Sequence, residues 1–348
     1  MLIYWSLFLI PALAAASPYR LDRASQRLII TVVGIILVVL IGLRDQVGHD
    51  WGNYIKIFNR LQAMNIFTAI GETEPGYAVL NVISAQLGWG VYGVNFVCGA
   101  IFVSGFIAFL RRQPNFWLTL SLSVPVLVIG IAMGGTRQAT ALGFLMFAFN
   151  AFQDRKLIRF IVFILLGVLF HRSVAAFLIF AFFIGGRLSL WPLIAGGVVF
   201  FLLGVFVLRD AVNYYQDSYV GTDIVATGAL PRIALSAVAA GIFIYIRKQW
   251  HAWFDDGVLY TLAALTIFLM TLGVFNAQAA TDRMLMYLLP IQVAIFSRAP
   301  LFLRQPMSRR LAAVGAFVLY GAVLFVWLNF SSFAQKSWLP YRNILWGY

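Results

Sequence analysis

Charge is scarce in this chain. Charged residues make up 11% of its 348 positions, and only 12 of them are acids. A soluble domain of this size needs far more polar surface to cover its core, so that class is excluded. Cysteine is scarcer still. The single residue Cys98 excludes an internal disulfide and any cysteine-based metal cluster. There is no Gly-x-x-x-x-Gly-Lys phosphate loop and no His-Glu-x-x-His zinc motif. The Asp-x-Asp pair that carries metal-bound nucleotide sugars is also missing, and nothing suggests haem, flavin or a nucleotide. No cofactor or metal is expected. No internal repeat or low-complexity tract is present. Leu2 to Ala16 lacks the basic start of a signal peptide and reads as a retained first span.

What the chain has instead is apolar length. It is 62% hydrophobic with a mean hydropathy of +0.90. The runs are continuous rather than alternating, which favours helices over a barrel. The expected fold is all-α: a single polytopic membrane domain over 1–348, with about twelve spans. Their centres lie near Leu9, Ile36, Ile101, Val124, Leu145, Ile164, Leu178, Phe200, Ala240, Ile267, Leu289 and Leu319.

Basic residues then set the orientation. Arg20, Arg23 and Arg27 place the first connection in the cytoplasm. Alternating from there, the inner side takes 15 of the 25 basic residues and 4 of the 12 acids. Both termini fall outside. The net charge of +13 therefore follows the positive-inside rule and does not call for nucleic acid.

Two outer loops result, 44–75 and 209–229. In the first, Tyr54, Phe58 and Leu61 recur at helical spacing while Lys56, Asn59, Arg60 and Gln62 lie elsewhere. That pattern predicts an amphipathic helix on the outer interface. Gly76 to Gly90 reads as a re-entrant or half-buried helix, because the alternation forbids it to cross. Leu157 to Ile184 is one apolar run broken by His171-Arg172. It is either two short spans meeting outside or a kinked pair lining a cavity. Asp255-Asp256 reads as a solvated cytoplasmic turn.

The outer side collects most of the chemistry. Arg44, Asp45, His49 and Asp50 follow the second span, and Glu74 precedes Pro75-Gly76. Arg137 sits between two spans with no acid beside it in sequence. His171-Arg172 and Asp282-Arg283 complete the set. Outer arginines run against the positive-inside rule, and a planar guanidinium fits phosphate oxygens bidentately. Local pairing is the competing account: Asp45 with Arg44, Asp210 with Arg209, Asp282 with Arg283. His171 and Glu74 are each able to take a proton from a hydroxyl. Glu74 serves equally well as a helix cap.

These residues resemble a known family. Arg44, then Val47-Gly48-His49-Asp50 with Asn53-Tyr54 and Ile57-Phe58, is similar to the first motif of the EpsG family of bacterial exopolysaccharide membrane proteins. His49 stands where a small residue is expected. Glu74-Pro75-Gly76-Tyr77, Arg137-Gln138 and His171-Arg172-Ser173-Val174-Ala175 follow in the family's order.

The resemblance implies a Wzy-type, metal-independent polymerase in a GT-C-like fold, set in the bacterial inner membrane with its site facing the periplasm. The donor would be a glycan on undecaprenyl pyrophosphate and the acceptor a sugar hydroxyl of the next lipid-linked unit. Arg44, Arg137, Arg172 and Arg283, with Tyr54 and Gln138, would bind it. His171, Glu74 or Asp50 would act as base. A chain-length regulator and a flippase are the partners implied. A lipid-linked oligosaccharide flippase or polysaccharide exporter is the main alternative. It would place charges near mid-membrane and often carries inverted repeats. A glycan acyltransferase is a third, and the outer placement of His171 counts against it.

Overall fold

Asp22 starts the first long apolar helix. Its carboxylate accepts from the amides of Ala24 (2.9 Å) and Ser25 (3.3 Å), satisfying donors that a helix start leaves open. Asn65, Asn115 and Ser331 cap later helices in the same way.

The computed structural model describes residues 1–19, 21–185, 229–272 and 278–346. Among them all regular elements are helical, and one isolated bridge pairs Arg44 with Asn343. The order begins α1 (Leu2–Ala16), α2 (Arg23–Gly42), α3 (Trp51–Leu61), α4 (Ile66–Ala69), α5 (Pro75–Gln86) and α6 (Gly90–Leu110). Next come α7 (Phe116–Ser123), continued by a π-helical stretch (Val124–Ala132), then α8 (Thr136–Gln153), α9 (Leu157–Val168) and a 3-10 stretch (Arg172–Phe183). The later α-helices are α10 (Ala229–Trp253), α11 (Gly257–Leu272), α12 (Gln278–Met286), α13 (Leu289–Arg298), α14 (Pro306–Phe330) and α15 (Ser332–Ser337), with short 3-10 turns at Ala299–Phe302 and Ile344–Trp346.

Four of these, α2, α6, α10 and α14, are long and apolar enough to cross a membrane, and six shorter apolar segments accompany them. Eleven of the expected centres fall on helical segments. The twelfth, Phe200, lies outside the described residues, as do Arg209, Asp210 and all but the last residue of the loop 209–229. The break at His171 separates α9 from the 3-10 stretch. The segment after Glu74 forms the 12-residue helix α5.

Helix α8 is the hub. Thirteen of its 18 residues are buried, so protein rather than lipid surrounds it and its polar residues are tolerated. It packs on α6, α9 and the 3-10 stretch. Glycines set the closest approach. A Cβ on Gly105 would sit 2.0 Å from the Gly143 carbonyl oxygen, and one on Gly143 would sit 2.7 Å from the Phe102 Cα. Helices in lipid gain little from hydrophobic exclusion, and small residues let dispersion contacts replace it.

The two ends of α8 carry separate polar clusters, about 25 Å apart by helix rise. At its C-terminal end, Arg298 and Asp256 form a buried ion pair of 2.7 Å. Arg298 Nε donates to Gln113 (2.9 Å), and Trp250 Nε1 donates to the second Asp256 oxygen (2.8 Å). The rings of Trp250, Phe254 and Tyr260 surround the guanidinium at 4.6–5.1 Å. The expectation of a solvated Asp255-Asp256 turn is corrected here. Asp255 is exposed, whereas Asp256 is buried in this pair.

At the other end the C-terminal segment folds back across the loop after α2. The Gly48 amide donates to Ser337 (2.7 Å), that of Asp45 to Arg342 (3.0 Å) and that of Ile344 to Leu43 (3.0 Å). Tyr341 donates to the Leu40 carbonyl (2.7 Å), and Tyr4 of α1 donates to that of Trp338 (2.7 Å).

Removing one partner of a buried ion pair strands the other. Asp256→Ala is expected to cost about 3–5 kcal/mol of stability, while Asp255→Ala changes it by less than about 0.5 kcal/mol. Thermal unfolding of the two variants in detergent separates them, and equal losses would contradict the assignment.

Candidate functional site

The loop 43–50 is organised by Arg44, which is 1% exposed. Its guanidinium points inward. Nε donates to the Val47 carbonyl (3.1 Å), Nη1 to that of Ile41, and Nη2 to the Thr136 hydroxyl (2.8 Å). Thr136 in turn donates to the Asn95 amide oxygen (3.0 Å). Expected to meet a phosphate, Arg44 instead ties the end of α2 to the start of α8. Asp45 does not pair with it and accepts from the Tyr92 hydroxyl at 2.7 Å. His49 lies against the Phe333 ring, centroids 4.2 Å apart. Gly48 has a φ of +107°, and a Cβ there would fall 2.0 Å from the Met133 carbonyl oxygen. Only glycine fits this approach.

Helix α3 forms with the expected face inward. Tyr54, Phe58 and Leu61 are buried, and Lys56, Asn59 and Arg60 are exposed. The Tyr54 hydroxyl reaches the start of α8, beside Gly135. Asp50 Oδ2 and the Tyr54 hydroxyl each lie 3.9 Å from where a Cβ on Gly135 would stand. Asp50 is half-buried and occupies the N-cap position of α3 without a side-chain capping bond.

Arg137, in the first turn of α8, finds its acid far away in sequence. Nη1 bonds Glu74 Oε2 at 2.6 Å, and side-chain exposures are 30% and 14%. Thr73 donates to the same carboxylate oxygen (2.8 Å). Glu74 therefore works as a counterion, and its side chain makes no cap to α5. The pair uses Nη1 alone, and Arg137 Nε is buried without a hydrogen-bond partner. The guanidinium carbon lies 5.8 Å from the Tyr77 ring centroid.

The third wall comes from the turn at His171 and from α12. His171 Nδ1 and the Tyr287 hydroxyl are 2.8 Å apart. Gln138 donates to the Arg283 carbonyl (3.4 Å) and approaches the Met286 sulfur (3.6 Å). Asp282, expected to neutralise Arg283, is held bidentately by Arg232 at 2.9 and 2.5 Å. Arg172 and Arg283 are exposed. The site thus gathers Asp50, Tyr54, Glu74, Arg137, Gln138, His171 and the backbone of Arg283, with Arg44 behind them.

A model described as the EpsG family matches residues 27–343, nearly the whole chain. The chain belongs to the EpsG family. This is a family of Wzy-like polymerases. Membership, with the apolar helices, makes the chain a multi-pass membrane protein with an exopolysaccharide polymerase-like function. No curated protein and no solved structure matches it. The EpsG match runs from within α2 to Asn343, so it takes in both the loop after α2 and the C-terminal segment clamped on it.

Sequence reasoning singled out most of this EpsG site but missed Thr73, Tyr287 and Arg232. Thr73 adjoins Glu74, and Tyr287 and Arg232 are isolated polar residues at the edges of apolar runs. Those were the available signals.

Electrostatics separate the titratable residues. Burial opposes ionisation of Glu74, but Arg137, backbone hydrogen bonding and Thr73 outweigh it and hold the carboxyl below its usual range. Burial pushes the His171 ring down to about 4. Glu74 opposes that shift, while Arg137 and Arg283 add to it. A depressed pKa in the folded state means stability that is full above the unfolded value and lost as pH falls through the folded one. For His171 the window runs from its ordinary 6.5 down to about 4. For Glu74 it lies below its ordinary 4.5. The melting temperature should therefore fall as pH drops from 6.5 to 4, and His171→Gln should flatten that interval. A variant with the wild-type slope would contradict this burial of a neutral imidazole.

Proposed function

We propose that this chain polymerises lipid-linked oligosaccharide repeat units. It transfers the growing glycan from undecaprenyl pyrophosphate to a sugar hydroxyl of the next unit, at the periplasmic face of the bacterial inner membrane. The bundle is read as a GT-C-like arrangement of twelve spans, with the end of α8 that carries Arg137 outermost. The single observation that carries the reading is Arg137 itself. It is a partly buried guanidinium with one carboxylate partner, held by Glu74 and Thr73 at the positive end of a buried helix.

Arg137 binds the diphosphate together with Arg172 and Arg283, while Tyr54 and Gln138 contact the sugar. In the transfer, the bond from the anomeric carbon to the diphosphate oxygen breaks, and its electron pair leaves with the diphosphate. The acceptor hydroxyl oxygen bonds to that carbon from the opposite side, so the configuration inverts. Its proton passes to Asp50, whose carboxylate makes no capping bond and, like the Tyr54 hydroxyl, lies near Gly135 at the start of α8. Glu74 is engaged with Arg137 and is read as its positioning partner. Arg44 fixes the wall from behind. The growing charge meets guanidinium groups, of which Arg137 is the partly buried one, placed to stabilise it as it forms, and the step as written uses no metal. A flippase delivers the substrate, and a chain-length regulator is the other partner inferred.

Arg137→Ala is expected to abolish polymer while single lipid-linked units accumulate on the periplasmic leaflet. With purified protein, Asp50→Asn should lower kcat by about 10²–10⁴-fold. Normal polymer length in Arg137→Ala would sink the polymerase reading of this site. Units stranded on the cytoplasmic leaflet would favour a flippase instead.

A further inference from the structure

His171 closes the turn between α9 and the 3-10 stretch, with its Nδ1 2.8 Å from the Tyr287 hydroxyl oxygen. One proton lies between these atoms, and its owner decides what His171 can do. A neutral imidazole carries a single N–H. If Nδ1 holds it, Nε2 is a bare acceptor, the form that a base requires. If Tyr287 donates, Nδ1 accepts and Nε2 carries the proton.

The surroundings of Tyr287 decide between the two. Its side chain is fully buried, at 0% exposure. Its hydroxyl makes no other hydrogen bond among the described residues. Were Nδ1 the donor, the phenolic proton would point into the interior with no acceptor, a condition that buried polar groups avoid. His171 Nε2 has no protein partner among the described residues, and the residue is part-exposed. Glu74 before α5, Arg137 on α8 and Arg283 on α12 are the charged groups that face the ring.

We infer that Tyr287 fixes His171 as the tautomer protonated at Nε2, so that His171 gives a neutral hydrogen bond to the departing diphosphate and is not the base. The tautomer stands independently. The identity of the acceptor rests on the polymerase reading above. No proton leaves His171 in this role. It stabilises the electron pair that the diphosphate oxygen takes when the glycosyl bond breaks. Tyr287 is a positioning residue, acting through His171.

The chain has three histidines, so ¹⁵N-histidine labelling of the full chain in nanodiscs gives a readable spectrum. His171→Gln assigns its signals by their loss. At pH 7 the expected pattern is a protonated-type shift for Nε2 and a bare-type shift for Nδ1. The reverse pattern would overturn the inference. In Tyr287→Phe the two tautomers should mix and kcat should fall about tenfold, with KM unchanged. His171→Gln keeps a neutral N–H donor and should retain at least tenfold more kcat than His171→Ala, whose loss is about 10²–10³-fold. Equal losses in Gln and Ala would remove the donor role. A wild type with the expected tautomer that makes no polymer would overturn the proposed function and leave the tautomer standing.

Discussion

Arg44 is the constraint on which the rest of the site depends. Its donors go to the carbonyls of Ile41 and Val47 and to Thr136, none of them a carboxylate. Three pieces of chain are fixed at once: the last turn of α2, the loop after it and the first turn of α8. Thr136 carries the link on to Asn95 of α6. Few side chains other than arginine could do this, since the planar fork serves separate acceptors from one buried position and a lysine presents a single nitrogen. The bridge between Arg44 and Asn343 brings the C-terminal segment into the same knot. Asp50, Tyr54 and Arg137 occupy their places because the chain on either side of them is held there.

The scarcity of charge gives each buried ionic group a clear assignment. At the C-terminal end of α8, Arg298 and Asp256 pair inside an aromatic cage, and Gln113 and Trp250 add hydrogen bonds to them. That ion pair is buried on both sides. The pair at the other end is more open. Glu74 engages Arg137 through one nitrogen, Nε is left without a partner, and Asp50 makes no cap. A one-nitrogen ion pair and an uncapped carboxylate, gathered at a helix N-terminus, mark this as the end where an anionic ligand would bind.

The helical membrane class was legible from hydropathy. The inward face of α3 was legible from the spacing of Tyr54, Phe58 and Leu61. The order of the four motifs led to the family that the chain proves to match. Pairing was not legible. Arg137 and Glu74 are 63 positions apart, and no local pattern joins them. Asp255 and Asp256 have the same neighbours in sequence and opposite environments, because only the second faces Arg298. Gly105 and Gly143 look like any glycines in apolar runs until their helices cross. The C-terminal segment has no periodicity to announce that it clamps the loop at Arg44. Each of these depends on contacts between distant parts of the chain, which one-dimensional spacing does not encode.

The central claim is that the open polar cluster at the start of α8 holds a polyprenyl diphosphate. The most direct measurement is an experimental map of the purified protein in nanodiscs loaded with undecaprenyl diphosphate. The account predicts headgroup density within hydrogen-bonding distance of the Arg137 guanidinium, on the side bounded by His171 and Arg283, with Arg44 still turned to Ile41, Val47 and Thr136. Headgroup density at the other end of α8, beside Arg298 and Asp256, would contradict it.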